Sequence, residues 1–161
     1  MLSHAMKKYL ALILLLFCLS TPSHSEAIKG EVTRVIDGDT IVIEHRHHPL
    51  RIRLCGIDAP EKKQAYGDRA KEELSELCAS KHVTVIISQK DRYGRSVGEV
   101  FVGDQNINEE LLRRGAAWWY WRYSKNPNYQ ALEEEARNSH RGLWQALNPT
   151  PPWVFRREKH K

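Results

Sequence analysis

Residues 50–55 read Leu-Arg-Ile-Arg-Leu-Cys, with an apolar side chain at every second position up to Leu54. Successive side chains of a strand point to opposite faces, so this alternation is typical of a β-strand that buries one face. On such a strand Arg53 belongs to the face that points away from the apolar interior. The stretch therefore predicts one strand of a β-rich core, with an arginine at its outer surface.

Segments on either side of this strand also have the patterns of regular secondary structure. Four of them have the β-branched or alternating composition of strands: 31–36, 40–45, 82–88 and 96–102. Three more have helical spacing or capping residues: 68–80, 109–114 with Asn108 as N-cap, and 127–140 with Asn126 as N-cap. Five short strands with a helix after the third predict an α+β fold dominated by β, a five-stranded OB-fold barrel with three helices.

Composition and charge are those of a folded domain with a mild basic excess. The chain has 161 residues, 41% of them hydrophobic, and 25 Lys and Arg against 20 Asp and Glu give a net charge of +5. These values exclude a disordered chain, a collagen and a long coiled coil. The basic excess permits an anionic partner without identifying one.

The first 25 residues predict a signal peptide. Lysines at 7 and 8 precede the apolar run 10–19, and the first acid is Glu26. A retained membrane anchor is the alternative, although a spanning helix needs roughly 20 apolar residues. The predicted organisation is a signal peptide over 1–25, a folded domain over 26–147 and a mobile, Pro-rich basic tail over 148–161. We expect export to the periplasm or the medium, without membrane association after cleavage.

The chain after residue 25 contains two cysteines, Cys55 and Cys78. In an oxidising compartment a disulfide between them is allowed. Two buried thiols that pack as small hydrophobes are the alternative. The sequence leaves both alternatives open.

Three short segments concentrate charged residues near the ends of predicted strands. They read Asp-Gly-Asp-Thr over 37–40, Arg-Leu-Cys-Gly-Ile-Asp-Ala-Pro-Glu over 53–61 and Asp-Arg-Tyr-Gly-Arg over 91–95. Each one alone is explained by a turn, because Asp, Gly and Pro are common turn residues. Together they contain the groups that a phosphodiester hydrolase needs.

Phosphodiester hydrolysis adds charge to an already anionic phosphorus centre, and these residues suit that task. Hard divalent cations take carboxylate oxygens, which Asp39 and Asp58 supply. Glu61 is a candidate to accept a proton from the attacking water. The guanidiniums of Arg53 and Arg95 suit phosphate oxygens and the charge that grows in the transition state.

The three segments resemble motifs of the thermonuclease family, which contains the staphylococcal nuclease-like domain. Later pieces are similar in order and spacing: Asn108-Glu109, Leu111-Leu112, Gly115-Ala116 and Gly142-Leu143-Trp144. The resemblance covers roughly residues 31–147. It implies an OB-fold barrel, secretion, and a calcium-dependent phosphodiesterase activity on DNA and RNA.

The resemblance implies a metal site made by Asp39, Asp58 and the backbone carbonyl of Ala59. The best-known member of the family has Thr at the position of Ala59, and a carbonyl ligand tolerates that change because the side chain is not involved. Asp37 is expected to be a turn residue rather than a ligand. Calcium is the implied ion, and Mg²⁺ or Mn²⁺ would also suit hard oxygen ligands.

For the chemical step the resemblance implies three side chains. Glu61 matches the glutamate assigned as general base, and Arg53 and Arg95 match two arginines that stabilise the transition state. On the substrate side, Tyr93 matches a tyrosine that contacts the nucleotide phosphate. Arg92 matches a basic residue that helps to hold the same phosphate.

The aromatic run over 118–123 departs from the best-known member of the family. Trp121 and Tyr123 fall where the family has tyrosines beside the nucleotide, and a base stacked on such a ring contributes about 1–3 kcal/mol. Packing against the barrel is the alternative for these two residues. For Trp118 and Trp119 packing is the expected role.

The sequence thus predicts a monomeric, exported, calcium-dependent endonuclease that hydrolyses phosphodiester bonds of DNA and RNA. The alternative is a non-catalytic OB-fold module that binds single-stranded nucleic acid. The presence of Glu61 together with Arg53 and Arg95 favours the enzyme, because a degenerate copy is expected to lose some of these groups.

Overall fold

Antiparallel strands form the centre of the fold. The computed structural model describes residues 26–124 and 126–159, and the predicted signal peptide over 1–25 lies outside them. The strands are β1 (Glu26–Asp37), β2 (Thr40–His45), β3 (His48–Leu54), β4 (Ile57–Asp58), β5 (His82–Lys90), β6 (Ser96–Val102), β7 (Gln105–Asn106) and β8 (Trp118–Trp119). The helices are α1 (Gly67–Cys78), α2 (Ile107–Arg113), α3 (Asn128–Asn138) and α4 (Pro152–Glu158). None of the helices in this part of the chain is long and apolar enough to cross a bilayer.

The barrel closes through a parallel pairing between β3 and β6. The main sheet has the order β3-β2-β1-β5-β6-β7, and the closing pairs include Arg53 with Val97 and Leu54 with Gly98. Glycine is needed at 98 because a Cβ there would lie 2.5 Å from the carbonyl oxygen of Ile86 on β5. Closure joins β3 to β6 and confirms the predicted five-stranded barrel.

The predicted alternation along β3 is confirmed. Ile52 and Leu54 are fully buried, whereas the side chain of Arg53 stands on the outer face with 16% exposure. The buried face packs against side chains from β2, α1 and α2, namely Ile41, Ile43, Leu74, Leu111 and Leu112. This core fixes the end of β3, where the longest of the three charged segments begins.

The structure contains a fourth helix that the sequence analysis does not predict. The expectation of a mobile tail over 148–161 is wrong for residues 152–158, which form α4. Pro152 stands in the first turn, where its fixed φ suits a helix. Trp153 then stacks on Tyr120 at a centroid distance of 5.5 Å. This aromatic contact seats the helix on the domain, and a basic composition alone does not reveal it.

The N-cap of α2 is Asn106 rather than the predicted Asn108. The side chain of Asn106 accepts the N–H of Glu109 at 3.2 Å. Asn108 is fully buried, and its Oδ1 accepts the N–H of Val100 at 3.0 Å while its Nδ2 donates to the carbonyl of Cys55 at 2.9 Å. Asn108 therefore joins α2 to β6 and to the residue that follows β3.

Cys55 and Cys78 are free thiols in the structure, which corresponds to the second of the two alternatives. Burial raises the pKa of each thiol to about 12, and the charge of Glu99 adds to the effect at Cys55. The Cys78 thiol donates to the carbonyl of Leu74 at 3.2 Å. Both side chains therefore pack as neutral groups.

We expect Asn108→Ala to destabilise the fold. The substitution leaves the Val100 N–H and the Cys55 carbonyl without their buried partner, and each such loss costs about 1–3 kcal/mol. Urea denaturation followed by tryptophan fluorescence should show a lower free energy of unfolding. Asn138→Ala, at an exposed position near the end of α3, is the matched control and should change that free energy little. Equal effects of the two substitutions would contradict the bracing role of Asn108.

Both thiols should resist alkylation while the protein is folded. The thiolate is the reactive form, and a thiol with a pKa of about 12 is almost entirely neutral near pH 8. Iodoacetamide labelling with peptide mass spectrometry should modify Cys55 and Cys78 slowly in buffer and rapidly in urea. Fast labelling of Cys78 in buffer would show that its burial is not as described.

Candidate active site

The turn between β1 and β2 positions Asp39. Asp37 Oδ1 accepts the N–H of Asp39 at 3.1 Å, and the Thr40 hydroxyl donates to Asp39 Oδ1 at 3.1 Å. The other carboxylate oxygen of Asp39 accepts the N–H of Ala59 at 2.7 Å. Gly38 permits this approach, since a Cβ there would lie 2.7 Å from the Cβ of Ala59. Asp39 is therefore held, buried, against the chain that follows β4.

The guanidinium of Arg53 joins two buried carboxylates. Its Nη2 lies 3.1 Å from Asp39 Oδ2 and 3.1 Å from Asp58 Oδ1. Its Nη1 donates to the carbonyl oxygens of Leu54 at 2.7 Å and Ile57 at 2.9 Å. These contacts gather the first turn, the end of β3 and β4 around one cation.

Asp58 is the most deeply buried of the three predicted metal ligands. It stands opposite Trp118 in the β4–β8 pair and is 1% exposed. Burial and the charge of Asp39 raise the pKa of Asp58, although the hydrogen bond of Arg156 and the charges of Arg53 and Arg156 act in the opposite direction. Burial and the charge of Asp39 raise the pKa of Asp37 to about 6. Burial thus disfavours the charged form of both carboxyl groups.

Arg156 on α4 reaches the same carboxylates, and sequence reasoning did not identify it. Its Nη2 lies 2.7 Å from Asp58 Oδ2, and its Nη1 donates to Asp58 Oδ1 at 3.2 Å and to Glu61 Oε1 at 2.7 Å. Its hydrogen bonds to Asp58 and Glu61 raise the pKa of Arg156, against the effect of burial. The only local signal is an arginine one turn after the two prolines at 151–152, which start a helix.

The third charged segment forms the turn between β5 and β6. Asp91 Oδ1 accepts the N–H groups of Tyr93 at 2.9 Å and Arg95 at 3.0 Å, and Arg95 Nε donates to Asp91 Oδ2 at 2.7 Å. Tyr93 is 70% exposed, with the guanidiniums of Arg92 and Arg95 at 5.0 and 5.6 Å from its ring centroid. Asp91 therefore orients Arg95 through its Nε, and the turn presents an exposed ring beside two cations.

One open cleft, here called the reaction cleft, brings most of the predicted site residues together. Its volume is about 770 Å³. The predicted residues that line it are Arg53, Glu61, Arg92, Tyr93, Arg95 and Tyr123. Asp39, Asp58 and Ala59 are buried beside it through their contacts with Arg53 and with one another. Trp121 lines a neighbouring groove instead.

The aromatic run divides into packed and exposed rings. Trp118 is buried against Trp144, with ring centroids 4.4 Å apart, and Trp119 pairs with Ile57 in the β4–β8 ladder. Their expected packing role is confirmed. Trp121 and Tyr123 are 60% and 56% exposed, so their rings are accessible to a ligand.

The donor chemistry of the site fits a hard divalent cation. Four carboxylates are gathered around two guanidiniums, with Asp37, Asp39, Asp58 and Glu61 on one side and Arg53 and Arg156 on the other. Carboxyl groups therefore outnumber the guanidinium groups here, and their oxygens are donors that Ca²⁺ and Mg²⁺ take. Across residues 26–124 and 126–159 no group of three or more His, Cys, Asp or Glu is arranged to hold a metal. A cation here would therefore complete its shell with carbonyl or water oxygens.

The chain is similar in sequence to one family model and to several bacterial proteins. A family model described as "Staphylococcal nuclease homologue" matches residues 51–146. An "Uncharacterized endonuclease" of Escherichia coli O157:H7 is 46% identical over 155 residues, covering 96% of this chain and 100% of the relative. A "Micrococcal nuclease" of Shigella flexneri is 39% identical over 150 residues, covering 86% of each chain. "Protein ParB" of Escherichia coli is 38% identical over 169 residues, covering 98% of this chain and 94% of the relative.

We expect Arg53→Lys to destabilise the protein strongly. A single ammonium cannot reproduce the contacts of both guanidinium nitrogens, and each lost hydrogen bond to a charged group costs about 1.5–3 kcal/mol. Urea denaturation of the variant should show this loss in the free energy of unfolding. Arg51→Lys is the matched control, because Arg51 lies two residues earlier on β3 with an exposed side chain. If both variants lost the same stability, Arg53 would not be the cation that unites the site.

Proposed function

This chain belongs to the staphylococcal nuclease homologue family, and we propose that it is an exported, calcium-dependent endonuclease that hydrolyses DNA and RNA. The main support for this activity is the position of three side chains. Arg53 and Glu61, from the charged segment 53–61, line a single cleft together with Arg95 from the segment 91–95. Two cations and a carboxylate around one cavity are suited to a phosphodiester and to the water that attacks it.

Glu61 is the proposed general base. Its carboxylate is 42% exposed at the edge of the reaction cleft, so water has access to it. In the proposed step the water oxygen forms a bond to phosphorus and Glu61 takes a proton from that water. The ester bond to the leaving sugar oxygen then breaks, and that oxygen takes a proton from solvent water while Glu61 later returns its own proton to solvent.

Arg53 and Arg95 are the proposed electrostatic stabilisers of the transition state. Arg53 is preoriented by its hydrogen bonds to the carbonyl oxygens of Leu54 and Ile57. Arg95 is preoriented by Asp91 through Nε, which leaves its two terminal nitrogens for the phosphate. Donors that are fixed before the reaction lower its barrier because they need no reorganisation as charge develops.

The proposed substrate contacts lie around the mouth of the cleft. Arg92 and Tyr93 would hold a phosphate from the turn between β5 and β6. Trp121 and Tyr123 would stack on bases, and their exposure supports this role over packing. The site would therefore contact both the backbone and the bases of the nucleic acid.

Asp39, Asp58 and the carbonyl of Ala59 are the proposed holders of a divalent cation. Their support is the donor chemistry and the excess of carboxylates at the site. When bound, the ion would act as a Lewis acid that withdraws charge from a phosphate oxygen. Calcium is the ion we propose, and the oxygen ligands would also accept Mg²⁺ or Mn²⁺.

We also propose that the protein acts outside the cytoplasm, as a monomer that is free of the membrane once its leader is removed. Export is supported by the basic and apolar pattern of residues 1–25. Periplasm and medium are both compatible with that pattern. Detection of the processed chain in a periplasmic or extracellular fraction would test the proposal.

Glu61→Gln should abolish most of the cleavage activity. The amide cannot accept the proton, and loss of a general base costs about 100-fold or more in rate. Supercoiled plasmid and a single-stranded RNA should be incubated with the purified protein and the products resolved on gels. Glu134→Gln is the control, since Glu134 is exposed on α3 and accepts only from Gln130 among the described residues. Wild-type rates in a folded Glu61→Gln protein would refute the assigned mechanism.

Chelation should separate the enzyme from the alternative binding module. We expect EGTA to stop plasmid cleavage and added Ca²⁺ to restore it, because the ion would neutralise charge at Asp39 and Asp58. The exposed rings of Trp121 and Tyr123 also suit a module that binds single strands without cleaving them. A gel shift that persists in EGTA, with no cleavage in Ca²⁺, Mg²⁺ or Mn²⁺, would favour that module.

A further inference from the structure

We propose that α4 forms one wall of a groove that binds the single-stranded part of the substrate next to the reaction cleft. The proposal deepens the nuclease function proposed above and rests on it for the identity of the ligand. Helix α4 lies at 152–158, beyond residues 51–146 that match the family model. The wall that α4 supplies therefore lies beyond the family match, whereas the groove residues Arg92, Tyr120, Trp121 and Arg122 lie within it.

Aromatic packing fixes α4 in place. The Trp153 ring lies parallel to Tyr120, with an interplanar angle of 6° and a centroid distance of 5.5 Å. The same Trp153 ring also meets Trp118 edge-on, with the two ring centroids 5.6 Å apart. Pro152, at the start of the helix, is buried. The helix thus presents its basic residues from a supported position, which limits the entropy lost on binding.

The groove between α4 and the turn over 121–123, here called the α4 groove, is basic and aromatic. Its volume is about 720 Å³, and no acidic residue lines it. Its arginines are Arg92, Arg122, Arg156 and Arg157. Arg156 is paired with carboxylates, whereas the other three make no salt bridge within residues 26–124 and 126–159. Unpaired cations around a cavity without acids are complementary to a polyanion.

An exposed tryptophan favours unpaired bases as the ligand. The ring of Trp121 is 60% exposed, and the guanidinium of Arg122 lies 5.0 Å from its centroid. A base that stacks on this ring would place its phosphates near Arg122 and Arg157 on the two sides of the groove. Bases in a duplex have their faces covered by neighbouring pairs, so stacking on a side chain needs a single strand.

The α4 groove continues into the reaction cleft. Arg92, Tyr120 and Arg156 line both cavities. A strand that leaves the cleft therefore passes directly into the groove. The occupant that this continuity indicates is the same nucleic acid chain, extended beyond the phosphate at the reaction site.

The test is the salt dependence of binding to a single-stranded oligonucleotide in EDTA, read by fluorescence anisotropy. The double variant Arg122→Ala with Arg157→Ala should bind more weakly. The slope of log K against log salt should fall in magnitude by about 1.4, because each phosphate contact on a single strand contributes about 0.7. Arg34→Ala with Arg51→Ala is the matched control, since both side chains are exposed and neither lines the groove.

Several results would overturn the α4 groove as a strand-binding site. They are an unchanged slope in the groove variant, an equal change in the control, no binding of single strands by the wild type, or the same loss on a duplex of the same sequence. Plasmid cleavage is measured separately in Ca²⁺. Normal cleavage with an unchanged slope would reject the groove alone, whereas the expected slope without any cleavage would reject the nuclease proposal alone.

A second inference rests on the direct contacts of Arg156 with the carboxylates. Asp58 Oδ2 is bound by Arg156, and Asp58 Oδ1 is shared by Arg53 and Arg156. Both oxygens of the proposed metal ligand are therefore engaged by guanidinium groups. We infer that Arg156 competes with a divalent cation for Asp58 and that α4 thereby lowers the affinity of the site for metal.

Calorimetric titration of the purified protein with CaCl₂, without nucleic acid, tests this competition. Arg156→Ala should bind Ca²⁺ about 10- to 150-fold more tightly, the equivalent of one hydrogen bond to a charged group. Lys159→Ala is the matched control, because Lys159 directly follows α4, has an exposed side chain and makes no salt bridge among the described residues. Unchanged or weaker binding by Arg156→Ala, or no calcium binding by any of the proteins, would overturn the inference. Calcium binding is measured without any cleavage, so the result tests the competition independently of the proposed nuclease activity.

Discussion

The ion pairs of Arg53 with Asp39 and Asp58 are the interaction on which the rest of the site depends. Burying two carboxylates is costly unless a cation and hydrogen bonds compensate for the lost hydration. One guanidinium supplies both, with Nη2 at 3.1 Å from each carboxylate and Nη1 bonded to two backbone carbonyls. Arg53 stands on the outer face of β3 because the other face of that strand belongs to the barrel core. The packing of apolar side chains thus decides where the charged site lies.

The arrangement of the other charged groups follows from that centre. Asp39 and Asp58 are brought together by a glycine turn and by the β4–β8 pair, and Glu61 follows within the next turn of chain. Arg156 lies on α4 and pairs with Asp58 and Glu61. Its charge partly offsets the negative charge of the carboxylates that Arg53 alone does not balance. Arg156, which binds the carboxylates, and Arg157, which lines the groove, are therefore neighbours on α4. Through Arg156, the proposed metal site and the proposed strand-binding groove share one structural element.

Much of the fold could be predicted because its pattern is local. The alternation over 50–55 identifies a half-buried strand with no knowledge of its partners, and β2 and β6 have the bounds that the sequence indicates. The cap of α2 shows the limit of that reasoning. Asn106 and Asn108 are both acceptable N-caps by residue type. Only closure of the barrel creates the buried N–H of Val100 and the carbonyl of Cys55 that Asn108 satisfies, leaving Asn106 as the cap.

The strand pattern of the barrel and the three charged segments follow from the linear sequence, because each is encoded by residues close together along the chain. Tertiary structure alone decided which of those charges meet. Arg156 is 98 residues from Asp58 along the chain, and no periodicity or motif links the two. Their contact exists because Trp153 packs on Tyr120 and turns one side of α4 toward the carboxylates. Such a pairing depends on how the strands, turns and aromatic rings between the two residues pack in three dimensions. The order of residues along the chain does not reveal that packing.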